Sequence, residues 1–224
     1  HRRHFARIAP TVAPRRAVSP RLLSFLQPTV YNLQPVPMAK RDNHYEAAFE
    51  AYLQQRRVAY VAVDEQRRSR IAAGSLKNVD FLVSPADGAT LLVDVKGRRF
   101  PSGNNRKQYW RNWTTWDDLR SLARWQDQLG RGSLALFGFV YHVVGERSPT
   151  PAEQLFPFRG ERYAMLAVRA VDYIRFARPL SEKWQTVAMP TALFRQAALP
   201  FDDLLPSREA ETLPVSGKDL WRGA

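Results

Sequence analysis

The sequence predicts an α/β domain in which a mixed central sheet is flanked by helices. Three observations predict it. Apolar periodicity alternates between helical and extended spacing in the order helix, strand, strand, strand, helix, strand. The second and third strands are separated only by Ser84-Pro85-Ala86-Asp87-Gly88, a turn sequence, so they read as an antiparallel hairpin. A helix lies between the third and fourth strands, as a parallel crossover requires. No internal repeat and no linker interrupt residues 38–205, which makes one domain the economical reading.

The elements follow in order. Residues 1–37 hold six arginines, six prolines and no acid, a composition expected of a disordered basic extension. Met38 is expected to be the true start; a basic tail with nonspecific DNA affinity and a transit peptide are the alternatives. In the first helix, about His44 to Gln55, Tyr45, Ala48, Phe49, Tyr52 and Leu53 form an apolar stripe behind a possible N-cap, Asn43. Val58 to Val63 reads as a buried strand, and Gln66 to Ser75 as a polar loop. Residues 77–96 form the hairpin, with Leu82 and Asp80 on one face of its first strand. Leu92, Asp94 and Lys96 share a face of its second. A basic, aromatic loop spans 97–113. Thr115 to Leu129 is the second helix, its positive end suited to Asp117 and Asp118. Ser133 to Val144 is an apolar strand and Tyr163 to Val168 another. Ala170 to Arg178 reads as a short helix, Trp184 to Met189 as extended and Thr191 to Ala198 as a helical turn or two. The tail, 206–224, looks frayed.

Composition narrows the chemistry. Cysteine is absent, which removes disulfides, thiolate zinc sites and a cysteine nucleophile, and fits a cytoplasmic protein. Four histidines argue against a histidine-rich metal site. No apolar run is long enough to span a membrane. The formal charge of +13 favours a polyanionic partner, although only six of the 34 basic residues are lysine, a bias that abundant arginine codons also produce.

Two acids interrupt the apolar hairpin. Aspartate is depleted in strands, and a buried carboxylate is costly unless paired or bound to metal. Asp94 and Lys96 also suit a same-face salt bridge, Asp80 a solvent-facing strand end, and Glu46 a capping box with Asn43. Glu50, one turn beyond Glu46, is a rival for the helix acid.

The pattern of a helix acid, Glu46, then Val79-Asp80-Phe81-Leu82-Val83, then Asp94-Val95-Lys96 resembles the PD-(D/E)xK nuclease superfamily, which includes restriction endonucleases and archaeal Holliday-junction resolvases. The resemblance implies a restriction-endonuclease-like αβββαβ core. His44-Tyr45-Glu46-Ala47-Ala48-Phe49-Glu50 is similar to the signature of the bacterial HYExAFE proteins. The resemblance covers roughly residues 43–145. Val79 stands where a proline usually precedes the first strand acid, and Asp94 where glutamate is commoner.

What the resemblance implies is metal-dependent phosphodiester hydrolysis of DNA by a structure-directed endonuclease or resolvase-like enzyme. Mg²⁺, with Mn²⁺ as a substitute, would be held by Asp80, Asp94 and Glu46. Lys96 would orient or deprotonate the attacking water or stabilise the charge that develops. Glu46 is preferred to Glu50 because Phe49 and Leu53 behind it fit the superfamily pattern. Arg98, Arg99, Arg106, Lys107 and Arg111 are expected to grip nucleic acid, while Trp110, Trp113 and Trp116 anchor the loop on the core. Many nucleases of this type pair to cut both strands, so a homodimer is compatible. The alternative is a nuclease fold kept as a nucleic-acid- or partner-binding module without catalysis.

Overall fold

The computed structural model describes residues 43–63, 68–71, 74–85, 88–104 and 106–206. Expectations for residues 1–37, and for the tail from 207, lie outside them. Helix α1 (His44–Gln55) leads into β1 (Ala59–Ala62), the ribbon β2 (Arg68–Ile71) and β3 (Gly74–Lys77), then β4 (Phe81–Ser84) and β5 (Thr90–Phe100). The short β6 (Thr114–Thr115) precedes α2 (Trp116–Leu129) and β7 (Ser133–Val143). Next come β8 (Phe156–Phe158), β9 (Glu161–Arg169), α3 (Ala170–Phe176), β10 (Arg178–Ser181) and β11 (Thr186–Ala188). Helix α4 (Thr191–Ala197), β12 (Leu199–Pro200) and a 3-10 turn (Phe201–Leu204) are the last of the described elements.

The central sheet runs β1-β4-β5-β7-β9-β12, with β8 beside β9. β5 pairs with β4 antiparallel and with β7 parallel, so the sheet is mixed and α2 is its crossover. This is the restriction-endonuclease-like αβββαβ arrangement expected from the sequence. Side-chain alternation divides the core in two. Leu91, Val93 and Val95 of β5 meet Phe49 and Leu53 of α1 on one face. Leu92 meets Leu119 and Leu122 of α2 on the other, with Phe137 and Phe139 of β7. None of the helices among the described residues is long and apolar enough to cross a membrane.

Three local expectations change. The apolar run at 58–63 is an edge strand, not a buried one; Val61 is 60% exposed. Arg68–Ile71 and Gly74–Ser75, within the stretch expected to be loop, instead enter the β2–β3 ribbon, where Arg68 bonds the Ser75 hydroxyl and Asp117 of α2. Residues 97–100, expected to open the basic loop, continue β5, because parallel pairing with β7 extends through Phe100 and Val143.

Candidate active site

The hairpin register brings the two strand acids together. β4 pairs with β5 through Val83–Leu91, Leu82–Leu92 and Phe81–Val93. One further step of that register sets Asp80 opposite Asp94. There β4 leaves the ladder, and the next inter-strand bond is made by a side chain: the Val95 N–H donates to Asp80 Oδ2 at 2.6 Å. The Asp80 carboxylate therefore lies in the plane of the sheet, in a notch at the β5 edge. Its backbone is held on both sides, donating to Val93 O and accepting from Val63 N–H, each at 2.9 Å.

Asp80 and Asp94 are both buried. Asp80 Oδ1 has no hydrogen-bond partner among the described residues. Burial, then repulsion from Asp94, pushes the Asp80 carboxyl up to about 9 against the opposing Val95 N–H and Lys96; Glu46 adds to the repulsion. Burial also raises Asp94, with Lys96 working against it. Glu46 is buried in the first turn of α1, where the Asn43 side-chain amide donates to it. Glu50, also buried, instead accepts from the Tyr60 hydroxyl at 3.0 Å. Glu46 is thus a helix acid that Asp80 feels.

Lys96 lies on the α2 face of β5 and is buried with the acids. Its ammonium donates to Asp94 Oδ1 at 2.7 Å and to Asp118 Oδ2 at 2.8 Å. Burial alone would lower its pKa; Asp94 and Asp118 reverse that and raise it, so the amine stays charged.

Sequence reasoning missed Asp118 and Lys77. Asp118 accepts from Lys96, from Lys77 Nζ at 2.8 Å and from the Thr114 hydroxyl at 3.0 Å. It also completes a capping box with Thr115 at the start of α2. Burial opposes its ionisation, yet Lys96 and Lys77 hold the carboxyl well below the usual range. The capping-box spacing Thr115-x-x-Asp118 was readable in the sequence; the link to Lys96, 22 residues away, had no local signal.

The basic residues separate. Arg98 is turned into the protein: it stacks on Trp113 at 4.1 Å and donates to the carbonyls of Gly97 and Trp113. Burial lowers its pKa. This corrects the expectation that Arg98 grips nucleic acid. Arg99, Arg106, Lys107 and Arg111 are exposed. Trp110 and Trp116 pack against the α2-face core, as expected of anchors.

The donor set can be weighed against a divalent cation. In its favour are two buried carboxylates at neighbouring register positions, a buried oxygen without a partner among the described residues, and carboxyl pKa values raised by burial, with repulsion from Asp94 adding at Asp80. Among the described residues, however, no three histidine or acidic side chains stand at metal-binding spacing. The set fits Mg²⁺, which commonly takes one or two carboxylates and completes its shell with water and phosphate. It does not provide a ready-made three-acid cage including Glu46.

Neither a family model nor a curated relative matches the chain. Among solved structures it is similar to Archaeoglobus fulgidus Hjc, a Holliday junction resolvase from an archaeal hyperthermophile. The two share 10% identity at a TM-score of 0.32, over 55% of this chain and 85% of that one, a likeness too weak to carry an inference about activity.

Proposed function

We propose that the protein is a Mg²⁺-dependent DNA nuclease of the PD-(D/E)xK type, structure-directed rather than sequence-specific. The observation that supports this reading is the meeting of Asp80 and Asp94 at the notch where β4 leaves β5, with the Lys96 ammonium 2.7 Å from Asp94. Asp80 and Asp94 would hold the cation. When bound, it supplies charge neutralisation at the phosphate and a more acidic water. Lys96 presents a fixed positive charge to the developing phosphate charge. Asp118 positions Lys96, and Glu46 keeps the notch acidic from α1. Exposed Arg99, Arg106, Lys107 and Arg111 meet the DNA backbone.

The test is incubation with Mg²⁺ and plasmid, junction or single-stranded DNA. Wild type should cut at least one of these and Asp94→Ala should not. A second reading is a DNA-binding module without catalysis, favoured by the full engagement of Lys96 between two carboxylates. Equal inertness of wild type and Asp94→Ala, with DNA binding retained, would establish that reading and remove the first.

A further inference from the structure

Two contiguous clefts open along β6 and the β10–β11 turn. One, of about 460 Å³, is lined by Trp113, Leu180 and Trp184 together with Arg111 and Thr115. The second, of about 470 Å³, shares Arg111, Trp113 and Leu180 and continues along Tyr109 and Trp110. Each lies within the range of small-molecule sites, about 300–1,000 Å³.

The topology fixes this placement. β11 pairs with β6 through Thr186–Thr115 and Val187–Thr114, and the Trp116 N–H donates to Gln185 O at 2.9 Å. The turn carrying Trp184 is therefore tied to the start of α2. Thr114, in the same strand, donates to Asp118, which accepts from Lys96. Groove and acidic centre thus share one short strand.

The surface is unusual for its exposed apolar area. Trp184 is 70% exposed and Leu180 59%. Large apolar side chains left in water beside a site ordinarily mark a binding surface. The charge pattern selects the occupant. Arg111 is the charged residue among those lining the two clefts, and no carboxylate lines either among the described residues. Lys183 stands 5.4 Å from the centre of the Trp184 ring, and the Arg98 guanidinium supports Trp113 from the protein side. Aromatic faces beside Arg111, in a lining without acids, match the chemistry of an unpaired nucleobase and its phosphate; Glu182, like Lys183, is exposed on the adjoining turn.

We propose that this groove binds unpaired bases of a nucleic-acid strand leading to the acidic centre, stacking a base on Trp184 with Arg111 on the adjoining phosphate. This rests on the nuclease reading for its biological use and adds the substrate class: DNA carrying single-stranded segments. Fully paired DNA keeps its bases stacked inside the helix and cannot use the groove.

The test uses the full chain in EDTA, so that binding is read without cleavage. Fluorescence anisotropy compares a labelled oligothymidylate with a blunt duplex. Trp184→Ala should weaken oligothymidylate binding by on the order of tenfold, with duplex affinity unchanged; Trp184→Phe should restore most of the loss. Sedimentation velocity of wild type and Trp184→Ala runs beside it. Unchanged oligothymidylate affinity in Trp184→Ala overturns the proposal. So does a wild-type dimer that Trp184→Ala dissociates, which would assign the groove to a second copy of the chain. Cleavage by wild type and Asp94→Ala is scored separately, so loss of the nuclease reading and loss of the groove give different results.

Discussion

Asp80 and Asp118 are both aspartates, both buried, and both linked to the same lysine centre, yet their carboxyls move in opposite directions. Asp118 receives two ammonium groups, a hydroxyl and a backbone N–H. Asp80 receives one backbone N–H and faces Asp94. Burial therefore does not decide the state of a carboxylate; its partners do. The satisfied acid is scaffold, and the Asp80–Asp94 pair is where the proposed cation would sit.

The largest expected effect comes from removing the shared cation. Lys96→Met leaves Asp94 buried without its ammonium and Asp118 with that of Lys77 alone, and should cost about 3–5 kcal/mol in urea denaturation. Lys77→Met, at a more exposed position, should cost clearly less. Equal losses would mean that the two lysines hold the network alike.

Metal binding should separate the acids next. Mg²⁺ at one hundred times its Kd should stabilise wild type by about 2.7 kcal/mol. Asp80→Asn and Asp94→Asn should lose that increment, while Asp118→Asn keeps a metal-dependent rise in Tm. The reverse pattern would place the cation on the wrong side of Lys96.

The pH dependence of metal-free protein has two windows of opposite sign. Asp80 is raised from 3.8 to about 9, so its contribution to stability is fully present below the lower value and is lost as pH climbs toward the upper. The slope is at most about 1.4 kcal/mol per pH unit, and Asp80→Asn should flatten it. Asp118 is lowered, so its contribution is present above 3.8 and lost as pH falls below it. Asp118→Asn should change only that acid limb in equilibrium unfolding followed across pH.

The smallest effects concern the basic surface. Arg106→Ala and Lys107→Ala should each reduce the salt slope of DNA binding by about one. Arg98→Ala should leave the slope unchanged and lower Tm, because it removes packing under Trp113.

Much of this architecture was legible because periodicity is local. The parallel β5–β7 crossover and the shared face of Asp94 and Lys96 follow from strand alternation and element order. The pairing of Asp80 with Asp94 depended on the turn at 84–88, whose register sequence alone leaves open. Val61 misled because an apolar run looks the same whether its strand lies inside a sheet or at its edge. Arg98 misled because charge pattern does not reveal that alternate residues of an extended β5 point to opposite faces. Trp184 passed as part of a strand; its exposure arises from a turn whose position is set by pairing with distant β6.

One contact between α1 and the sheet gives the acidic centre a mechanical gauge. A Cβ at Gly97 would stand 2.2 Å from ring atoms of Tyr45, so this ring rests directly on the bare backbone of β5. Glu46 is the next residue along that helix. A methyl group at 97 acts as a shim, lifting the first turn of α1 and the acid with it, although neither Asp80 nor Asp94 has been touched. Gly97→Ala should therefore impair function at a distance from the chemistry, and Tyr45→Ala in the same chain, by vacating the space, should recover part of the loss in the cleavage assay.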